Sequence, residues 1–208
     1  MPRMAKRVVP SAPGIPALEP VKQDLYDTKA YNPAAAPNVL EFFRNPTPGE
    51  LFSNMSASGQ LPHPQQFHTY GIAVEMFPEY DADADEGADD LWVVSKKKIR
   101  EAAWLKFHIG AKDYLTIPLV RVPEGTGEAG LAAGLVAVGA SFLTQGIPDI
   151  AHYYDVIIKL KGQAQPIHIP SQQAFFVQIY WPTSPTLLVT FVVKVRVYLV
   201  GVLWREVQ

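Results

Sequence analysis

The stretch that leaves this chain least conformational freedom is its last apolar run. Phe191, Val193, Val195, Val197 and Leu199 fall at every second position, with Lys194, Arg196 and Tyr198 between them. Only an extended strand puts the first set on one face and the second on the other; a helix would scatter the charges around its circumference. The same charges argue against a membrane-spanning helix. Thr186 to Trp204 is mostly apolar, but Lys194 and Arg196 sit at its centre, where each would cost about 2.5–3.5 kcal/mol on insertion.

Period two recurs upstream. Ile72, Val74 and Met76 share a face, and Leu105, Phe107 and Ile109 point inward with Trp104, Lys106 and His108 opposite. Gly110-Ala-Lys-Asp then supplies turn residues, and Leu115, Ile117 and Leu119 continue an inward face, which predicts a hairpin. Residues 155–160, 173–181 and 187–207 are rich in β-branched and aromatic side chains. Residues 89–104 stand evenly between strand and short helix. Asp89 or Asp90 would cap such a helix, and Lys96, Lys97, Lys98 and Arg100 would crowd its later turns. Seven or eight strands separated by Gly/Pro turns predict an all-β sandwich or barrel.

The first fifty residues read differently. Nine of the nineteen prolines precede residue 50, and each fixes φ and removes a backbone donor. Residues 1–48 are therefore expected as an extended arm that gains order by lying on a neighbour, and residues 49–208 as the folded domain. The arm begins with Arg3, Lys6 and Arg7 and no acid in its first ten residues, and it lacks the apolar core of a secretory signal. Charged residues make up 18% of the chain and the net charge is −2. So small a charged share leaves part of the exterior to be covered by partners, and the balance disfavours a whole surface that grips nucleic acid or an anionic membrane. There is no cysteine, which removes disulfides, thiolate metal sites and thiol nucleophiles.

Motifs of chemistry are few. Gly125-Thr-Gly127-Glu-Ala-Gly130 matches a dinucleotide loop, but strands surround it and Gly134 and Gly139 interrupt the helix it would need. Glu79 to Gly87 has acids at the first positions of a calcium loop, yet glycine falls at seven and Trp92 stands where a glutamate belongs. His63, His68, His108, His152 and His168 include no His-x-His pair, and each reads as an ordinary surface or hydrogen-bonded residue. No G-x-S-x-G, H-E-x-x-H or Walker loop is present, and Glu124 to Glu128 lies in a glycine-rich segment unsuited to rigid acid–base work. Asn54-Met-Ser matches a glycosylation acceptor and is taken as coincidence. The charge-free run 129–148 reads as glycine-rich loop and strand rather than a membrane span. These readings predict no catalytic residue, no metal and no cofactor.

Two segments enter strands in the same manner. Leu61-Pro-His-Pro-Gln-Gln-Phe-His leads into the run ending at Val74, and Pro166-Ile-His-Ile-Pro-Ser-Gln-Gln-Ala-Phe-Phe-Val-Gln-Ile-Tyr-Trp repeats prolines, a Gln-Gln pair and aromatics. With the terminal Gly201-Val-Leu-Trp-Arg-Glu-Val-Gln, residues 40–208 resemble the jelly-roll capsid proteins of tailless icosahedral bacteriophages. The resemblance implies a single eight-stranded jelly-roll β-sandwich, a structural virion protein built in the host cytoplasm, and homo-oligomeric capsomers. It also implies partners among its own copies and other capsid proteins, tied by the arm. Arg3, Lys6 and Arg7 would give weak genome contact; membrane contact is left open. The other readings are a β-sandwich module for glycan or receptor, with Trp92, Trp104 and Trp181 as its exposed aromatics, and a cupin-like metal enzyme.

Overall fold

Alternating β-branched and aromatic residues make strand the dominant conformation among the described residues. The computed structural model of the chain describes residues 17–47, 49, 52–79, 88–123, 128–137, 140–148, 153–156, 158–160, 163–187 and 189–207. In chain order the first strands are β1 (Leu18–Lys22), β2 (Leu25–Tyr31), β3 (Val39–Phe42) and β4 (Gln66–Glu79). Helix α1 (Ala88–Ala102) leads into β5 (Trp104–Ile109) and β6 (Lys112–Pro118). Then follow β7 (Glu128–Ala137), β8 (Ala140–Pro148), β9 (Tyr154–Asp155), β10 (Ile158–Leu160) and β11 (Gln163–Gln165). The chain closes with β12 (Ile167–Ile169), β13 (Phe175–Tyr180) and β14 (Val192–Glu206).

Two antiparallel sheets carry the core. In the first, β1 and β2 lie end to end along one side of β14, β4 pairs with its other side, and β12 and β9 border β4. The second runs β3-β13-β5-β6. The pairing is nested: β2 with β14, β3 with β13, β4 with β12, and β5 with β6. Hairpins β7–β8 and β10–β11 fall within the connection from β6 to β12.

The inward residues of both sheets form one apolar cluster. Val193, Val195, Val197 and Leu199 contribute from β14, Ile72, Val74 and Met76 from β4, Leu105 and Phe107 from β5, and Phe175, Val177 and Ile179 from β13. The alternation read in residues 72–76, 104–109 and 191–199 is thus the core-facing alternation of the folded chain. Between Val200 and Gly201 the ladder to β4 shifts register: Gly201 faces Thr69 whereas Val200 faces Gly71, so β4 holds one extra residue, Tyr70. The inward phase of β4 changes there, from Phe67 and Thr69 to Ile72, Val74 and Met76.

Residues 89–102, evenly poised in sequence, are helical. Trp92, Ser95, Lys96, Ile99 and Ala103 are all buried, the spacing of one helical face. The Trp181 indole donates to the Ile99 carbonyl at 3.0 Å, Leu119 N–H donates to the Ala103 carbonyl, and Arg100 donates to the Val122 carbonyl. These bonds fasten α1 to the end of the second sheet and to the turn at 119–121.

One expectation needs correction. Residues 18–42, assigned to an arm reaching a neighbour, are strands of the chain's own sheets. The prolines permit this because Pro20 lies on an edge strand, Pro33 and Pro37 lie between β2 and β3, and Pro46 follows β3. Leu25, Tyr31 and Phe42 enter the core. The inward alternation of β2 is masked in sequence by Asp27, which is fully buried and accepts the Phe43 N–H at 2.7 Å. Burial raises the Asp27 carboxyl above its ordinary range, while the Phe43 and Thr28 N–H groups and Lys29 draw it back. Residues 1–16, with the basic cluster, lie outside the described residues.

Gly201 is a sterically constrained position of the central ladder, closed in by backbone. A Cβ there would stand 2.3 Å from the His68 carbonyl oxygen and 2.5 Å from the Phe67 ring. Gly201→Ala is expected to cost about 1–3 kcal/mol in urea unfolding, whereas Lys97→Ala on the exposed helix face should change stability by no more than about 0.5 kcal/mol. Equal midpoints for Gly201→Ala and the parent would contradict this packing.

Candidate functional site

With the space between the sheets filled by apolar side chains, polar chemistry is displaced to their outer faces. On the first sheet, β14 directs Lys194, Arg196 and Tyr198 outward beside Glu75, Phe77 and Glu79 of β4. Lys194 pairs with Glu79 at 3.0 Å and lies 4.9 Å from the Phe52 ring centroid. Arg196 donates to the Thr28 hydroxyl at 2.9 Å and stands 3.7 Å from the Glu75 carboxylate. Its guanidinium lies 5.1 Å from the Phe77 ring centroid and 5.5 Å from that of Tyr26. Tyr198 donates to Glu75 at 2.6 Å. Its hydroxyl pKa is raised chiefly by burial, with Glu75 adding to the rise and the Arg196 hydrogen bond opposing it.

Further along the same face the register sets His168 of β12 directly opposite His68 of β4. Their ring centroids are 4.9 Å apart in an edge-to-face arrangement. The Trp204 ring lies 5.8 Å from His68, and His168 Nε2 is 3.1 Å from Gln66 Oε1. Burial lowers the His68 pKa below 6.5, and the neighbouring His168 lowers it further.

The outer face of the second sheet combines aromatic and charged groups. His108 stacks on Phe176 at 4.3 Å, Arg44 lies 5.3 Å from that ring's centroid, and Lys106 lies 5.1 Å from the Tyr180 ring. Asp113 takes His108 Nδ1 at 2.7 Å, and Glu41 takes Arg44 at 3.1 Å. Most charges named on either face therefore have an opposite charge within reach. Apolar side chains are exposed as well, among them Val39, Trp104, Tyr114 and Val120.

Several sequence candidates are relocated or left open. Trp92 and Trp181 are core residues, so of the three tryptophans offered as an exposed aromatic set only Trp104 reaches the surface. Arg3, Lys6, Arg7, His152, Glu124 and the acids after Glu79 lie outside the described residues, as do Gly125 and Gly127 of the glycine-rich loop. Glu79 itself is the partner of Lys194. Among the described residues no three His, Cys, Asp or Glu groups gather as a metal cluster, and no helix is long and apolar enough to cross a membrane. The pairing of His68 with His168 was not readable in sequence, because one hundred residues separate them and no periodicity links them. Comparison with family models, curated proteins and solved structures finds no match for this chain.

The lowered His68 pKa has a consequence for stability. The unfolded chain takes up this proton near 6.5 and the folded chain only at lower pH, so the stabilisation is complete above 6.5 and is lost as pH falls through the folded value. His68→Gln is expected to flatten the decline in stability between pH 7.5 and pH 5, followed by urea unfolding at each pH. An unchanged slope would remove His68 from the acid response.

Proposed function

We propose that this chain is a structural shell subunit, a single jelly-roll sandwich that assembles with copies of itself and with other capsid proteins in a virion. The nested order, β2-β14-β4-β12 over β3-β13-β5-β6, supports the jelly-roll reading. It is the order a long antiparallel hairpin takes when rolled into two four-stranded layers. That fold also serves lectins and metal enzymes, so function has to be argued from the surfaces.

The observation that carries the proposal is the pairing of charge on both outer faces, with Lys194 on Glu79, Arg196 on Glu75 and Arg44 on Glu41. A neighbouring protein can cover such a face without stranding a charge, whereas a polyanion would find few cations to claim. Exposed Val39, Trp104, Tyr114 and Val120 add apolar area for such contact. In this reading the chain is not an enzyme, and Arg3, Lys6 and Arg7 supply weak genome contact multiplied over many copies.

Purified full-length protein is expected to form rings or closed particles by light scattering and electron microscopy. A strict monomer at high concentration would overturn the shell reading. Deleting residues 2–10 is expected to lower the nucleic acid retained by particles and its sensitivity to salt. Retention equal to that of the intact chain would assign the three charges elsewhere.

A further inference from the structure

The His68–His168 pair is a feature of the outer faces that charge pairing leaves unexplained. Flanking residues Phe67, Thr69, Ile167 and Ile169 are buried inward, so strand alternation fixes both imidazoles on the outer side of the sheet. Two like rings have been placed directly opposite each other, where protonation of both would be repulsive.

From this juxtaposition we infer that His68 and His168 form a two-histidine chelate for a borderline divalent metal ion such as Zn2+, Ni2+ or Cu2+. Two observations converge on it. The first is spacing. With Zn–N at about 2.0–2.1 Å and about 1.1 Å from nitrogen to ring centre, each centroid stands about 3.2 Å from the ion, so at a tetrahedral angle two centroids are about 5 Å apart. The observed 4.9 Å meets that requirement.

The second is orientation. The Gln66 carbonyl oxygen accepts from His168 Nε2 at 3.1 Å, which leaves Nδ1 with its lone pair. A metal-bound histidine characteristically donates its other ring N–H to such an acceptor.

The surroundings set the ion class. A cleft of about 530 Å³ borders His168 and is lined also by Ile109, Lys112, Tyr114, Pro166, Pro170 and Gln173, with no carboxylate. Imidazole without carboxylate selects Zn2+, Ni2+ or Cu2+ over Ca2+ and Mg2+. Two protein ligands leave positions for water or for a group from an adjoining subunit, which suits an ion held at a contact rather than a closed structural site. The inference stands apart from the shell reading, since a lone chain can hold the ion.

The test uses the full-length chain and zinc chloride. X-ray absorption of the zinc-loaded protein is expected to show two imidazoles in the first shell. In calorimetric titration, His68→Phe and His168→Phe should each weaken zinc binding by more than about tenfold, and Gln66→Ala by about tenfold, while His63→Ala leaves it unchanged. A zinc shell without imidazole, which is read on the unsubstituted chain whatever the variants do, would overturn the proposal. So would equal affinity in both phenylalanine variants, or loss of binding in His63→Ala.

Discussion

The ladder between β14 and β4 governs the rest of the molecule. It runs the length of both strands, Val192 to Trp204 against Gln66 to Glu79, and it places Val193, Val195, Val197 and Leu199 beside Met76, Val74 and Ile72 on the inner face. Burying each such side chain stabilises the fold by about 1.5–3 kcal/mol. A slip of one residue would turn the whole set to water. Because β14 is paired on both sides, it also brings β1 and β2 into the sheet, and with them residues whose proline content argues for an extension. The outer face inherits the same register. Lys194 and Arg196 meet Glu79 and Glu75 because hydrophobic pairing inside has already aligned the two strands.

What the sequence disclosed followed from the strength of its periodicity. Residues 193–199, 104–109 and 72–76 carry this alternation most strongly, and they are strands whose Val193, Val195, Val197, Leu199, Leu105, Phe107, Ile109, Ile72, Val74 and Met76 are buried. Legibility failed where a polar group took a core position or a proline took an edge. Asp27 is buried on β2 and bound to the Phe43 N–H, so the run around it reads as polar. Pro20 sits opposite Trp204 on the outermost strand, a placement that only the partner strand reveals. The extra residue at Tyr70 changes the phase of β4, and only the register with β14 shows it. The histidine pair was hidden for a different reason: strand order, not local sequence, makes residues 68 and 168 neighbours.

Fold and surface bear differently on function. A sandwich of this order has served binding, catalysis and assembly alike, so the pairing alone chooses none of them. Distribution of charge discriminates more sharply. A surface evolved for nucleic acid concentrates unopposed cations, whereas here Arg44, Lys194 and Arg196 each have a carboxylate within 4 Å. The aromatic rings of Tyr26, Phe77 and Tyr198 further confine Arg196. Covering paired charges still costs desolvation, but less than covering an unopposed charge.

The sheet margins narrow the mode of assembly further. An exposed edge strand invites pairing with another chain, and natural sheets blunt it with short strands, charge and proline. Here β1 carries Pro20, β3 has four residues and β12 has three. At β6, Lys112 and Asp113 open the strand and Pro118 ends it. The margin of β4 beyond β12 is taken up by β9, and the Val74 N–H donates to the Pro123 carbonyl. Edge-to-edge addition would therefore gain few hydrogen bonds per copy at any of these margins. In the shell reading the contacts between copies fall to the outer faces, whose shape is held by packed cores and whose charges are already matched. That division lets one rigid block repeat without polymerising indefinitely through its strands.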